Sequence, residues 1–187
     1  MKKNFCLFLF ACFTALSSIA QLKEDKEQNN GVGKSNSLSL GPDIPFAYFS
    51  DTHKYGAGLN YSWSSHLYGI LNALPKKLIG FTLNSGVDYY FGKKENVSGF
   101  NYRYDKYIYL HAYGGAIYNP CTKGNISLTA GPALSLYRSN TQFNFGANLE
   151  GSYFFNKNFA IAAAVTLMKE SDSDILVTAS LRGVFVF

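Results

Sequence analysis

Hydrophobic and polar residues alternate along most of the chain from residue 36 onward, and no long stretch repeats with the period of a helix. In the segment 79–91, the odd positions are mostly Ile, Phe, Leu, Val and Tyr, whereas the even positions are mostly Gly, Thr, Asn and Asp. A period of two is typical of a β-strand with two different faces. The same period recurs around residues 36–43, 55–63, 104–118, 126–136, 142–153, 159–167 and 175–187. The pattern therefore predicts eight strands.

The composition of the polar face indicates which face is wet. In a soluble, lipocalin-like barrel, which also has eight strands, that face would meet water and carry many Lys, Glu and Arg residues. Here it is mostly Gly, Ser, Thr, Asn and Ala. Its ionisable members in the clearer strands are Asp88, His111, Glu150 and Arg182. Small and amide side chains suit the crowded lumen of a narrow barrel, so the apolar face is predicted to contact lipid.

Residues that prefer a membrane interface cluster near the predicted strand ends. Lysines lie almost wholly in the gaps between strands, and aromatic residues lie beside them, as in the interfacial girdles of membrane barrels. The girdle candidates are Tyr55, Tyr89, Phe91, Tyr118, Tyr153, Phe185 and Phe187. The sequence thus predicts an all-β fold, an eight-stranded antiparallel transmembrane β-barrel.

The connections between the strands alternate in character. One set is mostly polar or charged and is predicted to face outward: 45–54, 92–102, 138–140 and 169–174. The other set is predicted to face the periplasm: 65–77, 119–124 and 156–157. Two connections of the second set are short and rich in turn-forming Asn, Pro, Gly and Lys.

The N-terminal region predicts export. Two lysines, an apolar run and a small-residue cleavage site make residues 1–20 a secretory signal peptide, with a rival lipoprotein site at Leu9–Cys12. Residues 21–35 form a flexible polar leader, and residues 36–187 form the barrel domain. The formal charge of +5 falls to +3 for residues 21–187, because Lys2 and Lys3 are removed and residues 1–20 hold no acid. This weak charge, without a basic run, argues against nucleic acid as a partner.

The last segment carries a resemblance to a known family. Gly183, Phe185 and Phe187 match the aromatic last-strand signature of small outer-membrane β-barrels of the OmpA-transmembrane-domain or OmpX type. The resemblance covers residues 36–187 and implies a location in the bacterial outer membrane, with outer-membrane lipid as surroundings. It also implies that the barrel-assembly machinery reads Phe185 and Phe187 as an assembly signal during biogenesis.

Candidate chemistry within the barrel is sparse. Glu150 and Arg182 both face inward at similar predicted depths, and the intervening strand presents only alanines, so a lumenal ion pair is predicted. Ser50, Asp51 and His53 cluster in the first outward gap, where a His base could activate Ser if the acid orients it. The alternative is a polar surface loop. Three scattered His residues and a lone Cys121 beyond the signal peptide predict no metal site, no cofactor and no internal disulfide.

Three functions remain open from the sequence. The favoured one is a non-enzymatic outer-membrane barrel with a structural or surface-interaction role. The first alternative is a lipid A acyl-modifying enzyme that uses the first outer loop. The second is an accessory subunit of an envelope secretion or assembly complex, which would bring an unidentified envelope protein as partner.

Overall fold

The computed structural model describes residues 34–66, 79–97, 100–121, 123–170 and 174–187. The predicted signal peptide, nearly all of the predicted leader, and the connection 67–78 lie outside these ranges. Where described, the barrel begins at Lys34, two residues before the predicted boundary.

Eight long strands form a closed antiparallel barrel, which confirms the predicted fold class. They are β1 (Lys34–Phe46), β2 (His53–His66), β3 (Ile79–Gly92), β6 (Tyr107–Cys121), β7 (Gly124–Tyr137), β8 (Asn140–Phe154), β9 (Phe159–Lys169) and β10 (Ile175–Val186). Two outward gaps contain structure that the alternation did not predict. The first holds a one-turn helix, α1 (Tyr48–Thr52), and the second holds a hairpin of β4 (Lys94–Val97) and β5 (Phe100–Arg103).

The barrel closes where β1 pairs with both β2 and β10. Leu38 lies opposite Tyr61 on one side and opposite Phe185 on the other. Backbone hydrogen bonds continue the seam past the strand: Phe187 N donates to Asn36 O at 2.9 Å, and Asn36 N donates to Phe187 O at 3.3 Å. Every backbone edge of the main sheet is therefore paired, as a bilayer requires.

The two ends of the barrel differ. The loop end carries α1, the β4–β5 hairpin, the turn at 138–139 and the connection from β9 to β10. The turn end carries the β6–β7 and β8–β9 connections, together with the start of β1 and the end of β10. These two sets correspond to the connections predicted to face outward and to face the periplasm.

The outward face of the described strands is an apolar belt. Its large hydrophobic side chains are exposed all the way round the barrel; they include Leu40, Ile44, Leu59, Phe81, Leu128, Phe145, Val165 and Leu181. Between the ends of the described strands, no outward position holds a charged residue. Exposure of such a continuous apolar surface to water would be unfavourable, and the surface matches the lipid-facing band of a membrane barrel.

The predicted girdle residues all point outward from this belt. Tyr55 and Phe91 lie at the loop end with ring centroids 5.1 Å apart, and Phe185 and Phe187 stack at the turn end with centroids 6.0 Å apart. These aromatic pairs mark the upper and lower limits of the belt. Among the described residues, no helix is long and apolar enough to cross a membrane.

Candidate functional site

The middle of the lumen is occupied by a buried charged cluster, which we call the lumenal network: Arg182, Asp43, Asp88, His111, Asn60 and Asn84. Arg182 Nη2 donates to Asp43 Oδ1 at 3.1 Å and to Asp88 Oδ1 at 3.0 Å. The arginine is 4% exposed, and both carboxylates are buried as well. One guanidinium therefore links β10 to its neighbour β1 and, across the lumen, to β3.

The network extends from Asp88 to the two amides. His111 Nδ1 lies 3.4 Å from Asp88 Oδ2, and His111 Nε2 lies 3.3 Å from Asn84 Oδ1. When the Asn60 amide is turned so that its oxygen faces the guanidinium, its nitrogen lies 3.1 Å from His111 Nε2. A side chain at Gly58 would collide with both aspartates and with Arg182, so glycine makes the space for this cluster.

The structure gives Arg182 different partners from the one predicted. The ion pairs of the described residues join it to Asp43 and Asp88, whereas Glu150 accepts a hydrogen bond from Ser152 Oγ at 3.4 Å. The prediction compared the depths of β8 and β10 but did not consider β1, which pairs directly with β10. Asp43 lies opposite Ser180, only one inward position from Arg182, and so reaches the guanidinium across adjacent strands.

An aromatic layer fills the lumen toward the loop end. Phe49 of α1 is 2% exposed, and its ring centroid lies 4.8 Å from that of Tyr90 and 5.2 Å from that of Tyr107. Below it, the hydroxyls of Tyr109 and Tyr113 lie 2.7 Å apart. We call this layer the aromatic plug; it is completed by Ala133 and Met168. The plug fills this part of the lumen with packed side chains.

The predicted Ser–His–Asp candidates do not come together as a catalytic group. Ser50 Oγ donates to Ala47 O at 2.6 Å, and the side chain of Asp51 is exposed. His53 is buried beside Phe49; its Nδ1 lies 2.8 Å from Thr52 Oγ1 and its Nε2 lies 3.2 Å from Asp105 O. Both ring nitrogens therefore already have partners, and His53 serves to pack the mouth of the barrel.

A small polar chamber occupies the lumen toward the turn end. It has a volume of about 50 Å³, and hydroxyl and amide side chains from β1, β2, β3, β7 and β8 line it together with Glu150. Thr129 Oγ1 is buried against this chamber without a hydrogen-bond partner among the described residues. A space of this size and polarity suits one or two water molecules.

The β4–β5 hairpin projects beyond the barrel wall and has two faces. On one face, Tyr102 accepts a hydrogen bond from Arg138 Nη2, and Phe100 is 80% exposed. On the other face, Lys94 and Arg103 lie directly opposite each other.

The charge of one acid on the hairpin affects a neighbouring phenol. Tyr104 Oη lies 3.4 Å from Glu95 Oε2, and the negative charge of Glu95 raises the pKa of the Tyr104 phenol. The carboxylate therefore favours the neutral phenol, which can donate a hydrogen bond to it.

Sequence reasoning missed Asp43, Phe49 and the hairpin. Asp43 is the acid that follows Pro42 in a weakly alternating segment, and an isolated acid in an uncharged strand is a usable signal for a buried partner. In the part of the chain that the structure describes, no cluster of three or more His, Cys, Asp or Glu side chains could hold a metal ion.

The fold is shared with solved outer-membrane proteins of low sequence identity. Ail, the attachment invasion locus protein of Yersinia pestis, in its complex with the heparin analogue sucrose octasulfate, superposes with a TM-score of 0.55 at 14% identity, covering 82% of this chain and 99% of Ail. Ail in a phospholipid bilayer nanodisc superposes with a TM-score of 0.53 at 17% identity, and the match covers 83% of this chain and 100% of Ail. The N-terminal β-barrel domain of Pseudomonas aeruginosa OprF superposes with a TM-score of 0.50 at 15% identity, and the match covers 82% of this chain and 97% of that domain.

These likenesses confirm, at the level of fold, the resemblance seen in the sequence. The chain has the architecture of the small eight-stranded outer-membrane β-barrels. No protein-family model matches the chain, and no curated protein matches it either.

Proposed function

We propose that this chain is a bacterial outer-membrane β-barrel protein that acts without catalysis, through the surface at its loop end. The apolar belt and its aromatic borders support the membrane placement. The two Ail structures and the OprF domain, which share the fold, come from outer-membrane proteins. The predicted signal peptide at residues 1–20 would direct the export that this location requires.

The filled lumen is the observation that carries the proposal. Both the lumenal network and the aromatic plug use side chains that are almost wholly buried, and together they occupy the middle and the loop end of the barrel. In the described part of the chain, a polar chamber of about 50 Å³ lies beneath them. Solute passage is therefore disfavoured, and the exposed loop end is the surface left for a biological contact.

The complex of Ail with a heparin analogue supports the same assignment by analogy of fold. In this chain, the loop end offers the exposed aromatic residues Phe100 and Tyr102 beside exposed basic residues. Exposed aromatic rings beside cations are suitable for recognising a partner.

Two other functions have simple tests. For the lipid A acyl-modifying enzyme, His53→Ala should leave lipid A acylation unchanged by mass spectrometry if His53 serves only to pack the mouth of the barrel. A changed acylation pattern would establish the enzyme instead. For the accessory subunit of an envelope complex, stoichiometric co-purification of one envelope protein in mild detergent would favour that reading.

Biogenesis is expected to involve the assembly machinery of the outer membrane. Phe185 and Phe187 point outward at the end of β10, beside the seam with β1. We propose that this aromatic end is read transiently while the barrel closes.

The orientation of the barrel provides the main test. In a Cys121→Ser background, Asn101→Cys places a thiol on the hairpin at the loop end, whereas the unsubstituted chain carries Cys121 at the turn end. A membrane-impermeant maleimide added to intact cells should label the first protein and spare the second. Labelling of Cys121 alone would place the loop end in the periplasm and would overturn the proposal.

A further inference from the structure

The β4–β5 hairpin contains a pair of like charges that its own fold does not explain. Lys94 and Arg103 are direct cross-strand partners, so their side chains leave the same face of the hairpin. Both are exposed, and neither forms an ion pair among the described residues. Like charges directly opposite each other destabilise a strand pair, so the arrangement calls for a negative group supplied from elsewhere.

The nearby acids do not provide that group. Glu95 belongs to the opposite face of the hairpin, where it lies opposite Tyr102 and accepts a hydrogen bond from the Tyr104 hydroxyl. Asp105 Oδ2 lies 3.4 Å from Nε of Arg138, and Arg138 belongs to the turn between β7 and β8. Additional exposed cations, Lys54 and Lys106, lie on the adjacent strand ends. With the exposed Asp51 of α1 counted, the cations of this part of the rim still outnumber its acids.

The height of the pair indicates what lies beside it. Lys94 follows the girdle residue Phe91 by three positions and begins the hairpin two residues after the end of β3, so it lies just beyond the loop-end border of the belt. The headgroup region of a bilayer begins at the aromatic girdle. The face with Lys94 and Arg103 is also the one turned away from the Arg138 turn, because Tyr102 makes that contact from the other face.

We propose that Lys94 and Arg103 bind the phosphate of a phosphorylated lipid in the outer leaflet. Arginine can donate two parallel hydrogen bonds to phosphate, and lysine adds a compact charge beside it. Asn96 and Asn101 are opposite each other on the same face and extend it with amide groups suited to the polar headgroup. The inference rests on the proposed function, which places the loop end at the outer surface.

The test uses the full-length mature chain in phosphatidylcholine nanodiscs that contain a small fraction of lipid A or of dephosphorylated lipid A. Retention of the added lipid is measured by native mass spectrometry. The double variant Lys94→Gln/Arg103→Gln removes the pair, and Lys123→Gln/Lys157→Gln removes two exposed charges at the turn end as the matched control. We expect retention of lipid A to fall about tenfold in the first variant and to stay unchanged in the control.

A second measurement needs no variant. Trypsin cleaves after Lys94 and Arg103, so lipid A should protect these two bonds in the unsubstituted protein, whereas dephosphorylated lipid A and inorganic phosphate should not. Equal protection by inorganic phosphate would assign the site to a free anion, and protection by a soluble sulfated polysaccharide alone would assign it to a surface glycan. Either result overturns the lipid proposal, as does equal retention by the hairpin variant and the unsubstituted chain.

The two levels of inference can fail separately. Insertion into phosphatidylcholine without lipid A is followed by gel mobility before and after boiling, because a folded barrel resists the detergent. A chain that does not insert contradicts the proposed membrane function. A chain that inserts but shows no preference for phosphorylated lipid contradicts only the role of Lys94 and Arg103.

Discussion

At the scale of single residues, Arg182 connects the buried charged groups of the lumen. Its guanidinium is the counter-charge that the structure shows for both Asp43 and Asp88, and all three groups are buried. Burial of two carboxylates is tolerable only while they are paired and hydrogen-bonded.

Replacing Arg182 by Met should cost about 3–5 kcal/mol of unfolding free energy, because it removes the guanidinium from two buried carboxylates and leaves His111 alone beside Asp88. Urea unfolding of the barrel in phospholipid vesicles measures the loss. The matched control is Arg138→Met, which removes an exposed pair with Asp105 and should leave the midpoint unchanged. Adding Asp43→Asn and Asp88→Asn to Arg182→Met should recover part of the loss; no recovery would mean that the arginine acts through packing alone.

Gly146 supports the aromatic plug from the opposite wall. A β-carbon at this position would collide with the hydroxyls of Tyr109 and Tyr113, which form a hydrogen bond with each other. The tyrosines can therefore reach across the lumen only because β8 presents no side chain there.

Gly146→Ala should destabilise the barrel by about 1–3 kcal/mol through overpacking. Gly151→Ala on the same strand is the control, since nothing lies within 4 Å of the added carbon. Combining Gly146→Ala with Tyr113→Phe removes one of the colliding hydroxyls and should restore part of the stability. Equal unfolding midpoints for the two alanine variants would contradict this account.

At the scale of elements, alternation predicted the barrel strands well because one side of each strand meets lipid and the other is enclosed. β3, β8 and β9 have sharp contrast between their faces, and each inward residue assigned on them is inward in the structure. The alternation in β6 is weaker because aromatic and aliphatic residues occupy both faces around Tyr107–Tyr113. The sequence there shows no contrast between the lumenal and the lipid-facing side.

The hairpin and α1 could not be predicted in this way. Both lie outside the belt, where neither face of a strand is forced to be apolar, and α1 is only one turn long. The partners of Arg182 were missed for a different reason. They depend on barrel closure, which brings β1 beside β10 although Asp43 and Arg182 are far apart in the chain.

The hairpin has a pH dependence that reports its geometry. The Glu95 carboxylate raises the pKa of the Tyr104 phenol, so the hydrogen bond between them persists below the ordinary phenol pKa of about 10 and is lost as the pH rises through the higher folded value. Glu95→Gln should move the Tyr104 pKa back toward that ordinary value. NMR of ¹³C-labelled tyrosine in nanodiscs measures the shift; an unchanged titration would mean that the two side chains are apart in the membrane.

At the scale of the whole molecule, the barrel is a filled cylinder. Its middle is ionic, its loop end is aromatic, and its turn end holds a chamber of about 50 Å³. Eight strands leave a lumen that side chains can fill completely.

The unsubstituted protein should therefore show no steady conductance in a planar bilayer. We expect either layer to close the lumen by itself, so Phe49→Ala, which opens the plug, should remain non-conducting while the Arg182 layer is intact. Liposome swelling with small sugars gives an independent check. Steady single-channel currents from the unsubstituted protein would show that the lumen holds a continuous water path.

The chargeless outer belt also bears on how this molecule comes into existence. A cylinder whose whole circumference is hydrocarbon-like has no stable folded form in aqueous solution, and its unfolded chain exposes an apolar side chain at nearly every second position. Folding and insertion must then be a single event at the bilayer. Until that event, binding of the unfolded chain by chaperones determines what fraction of it aggregates.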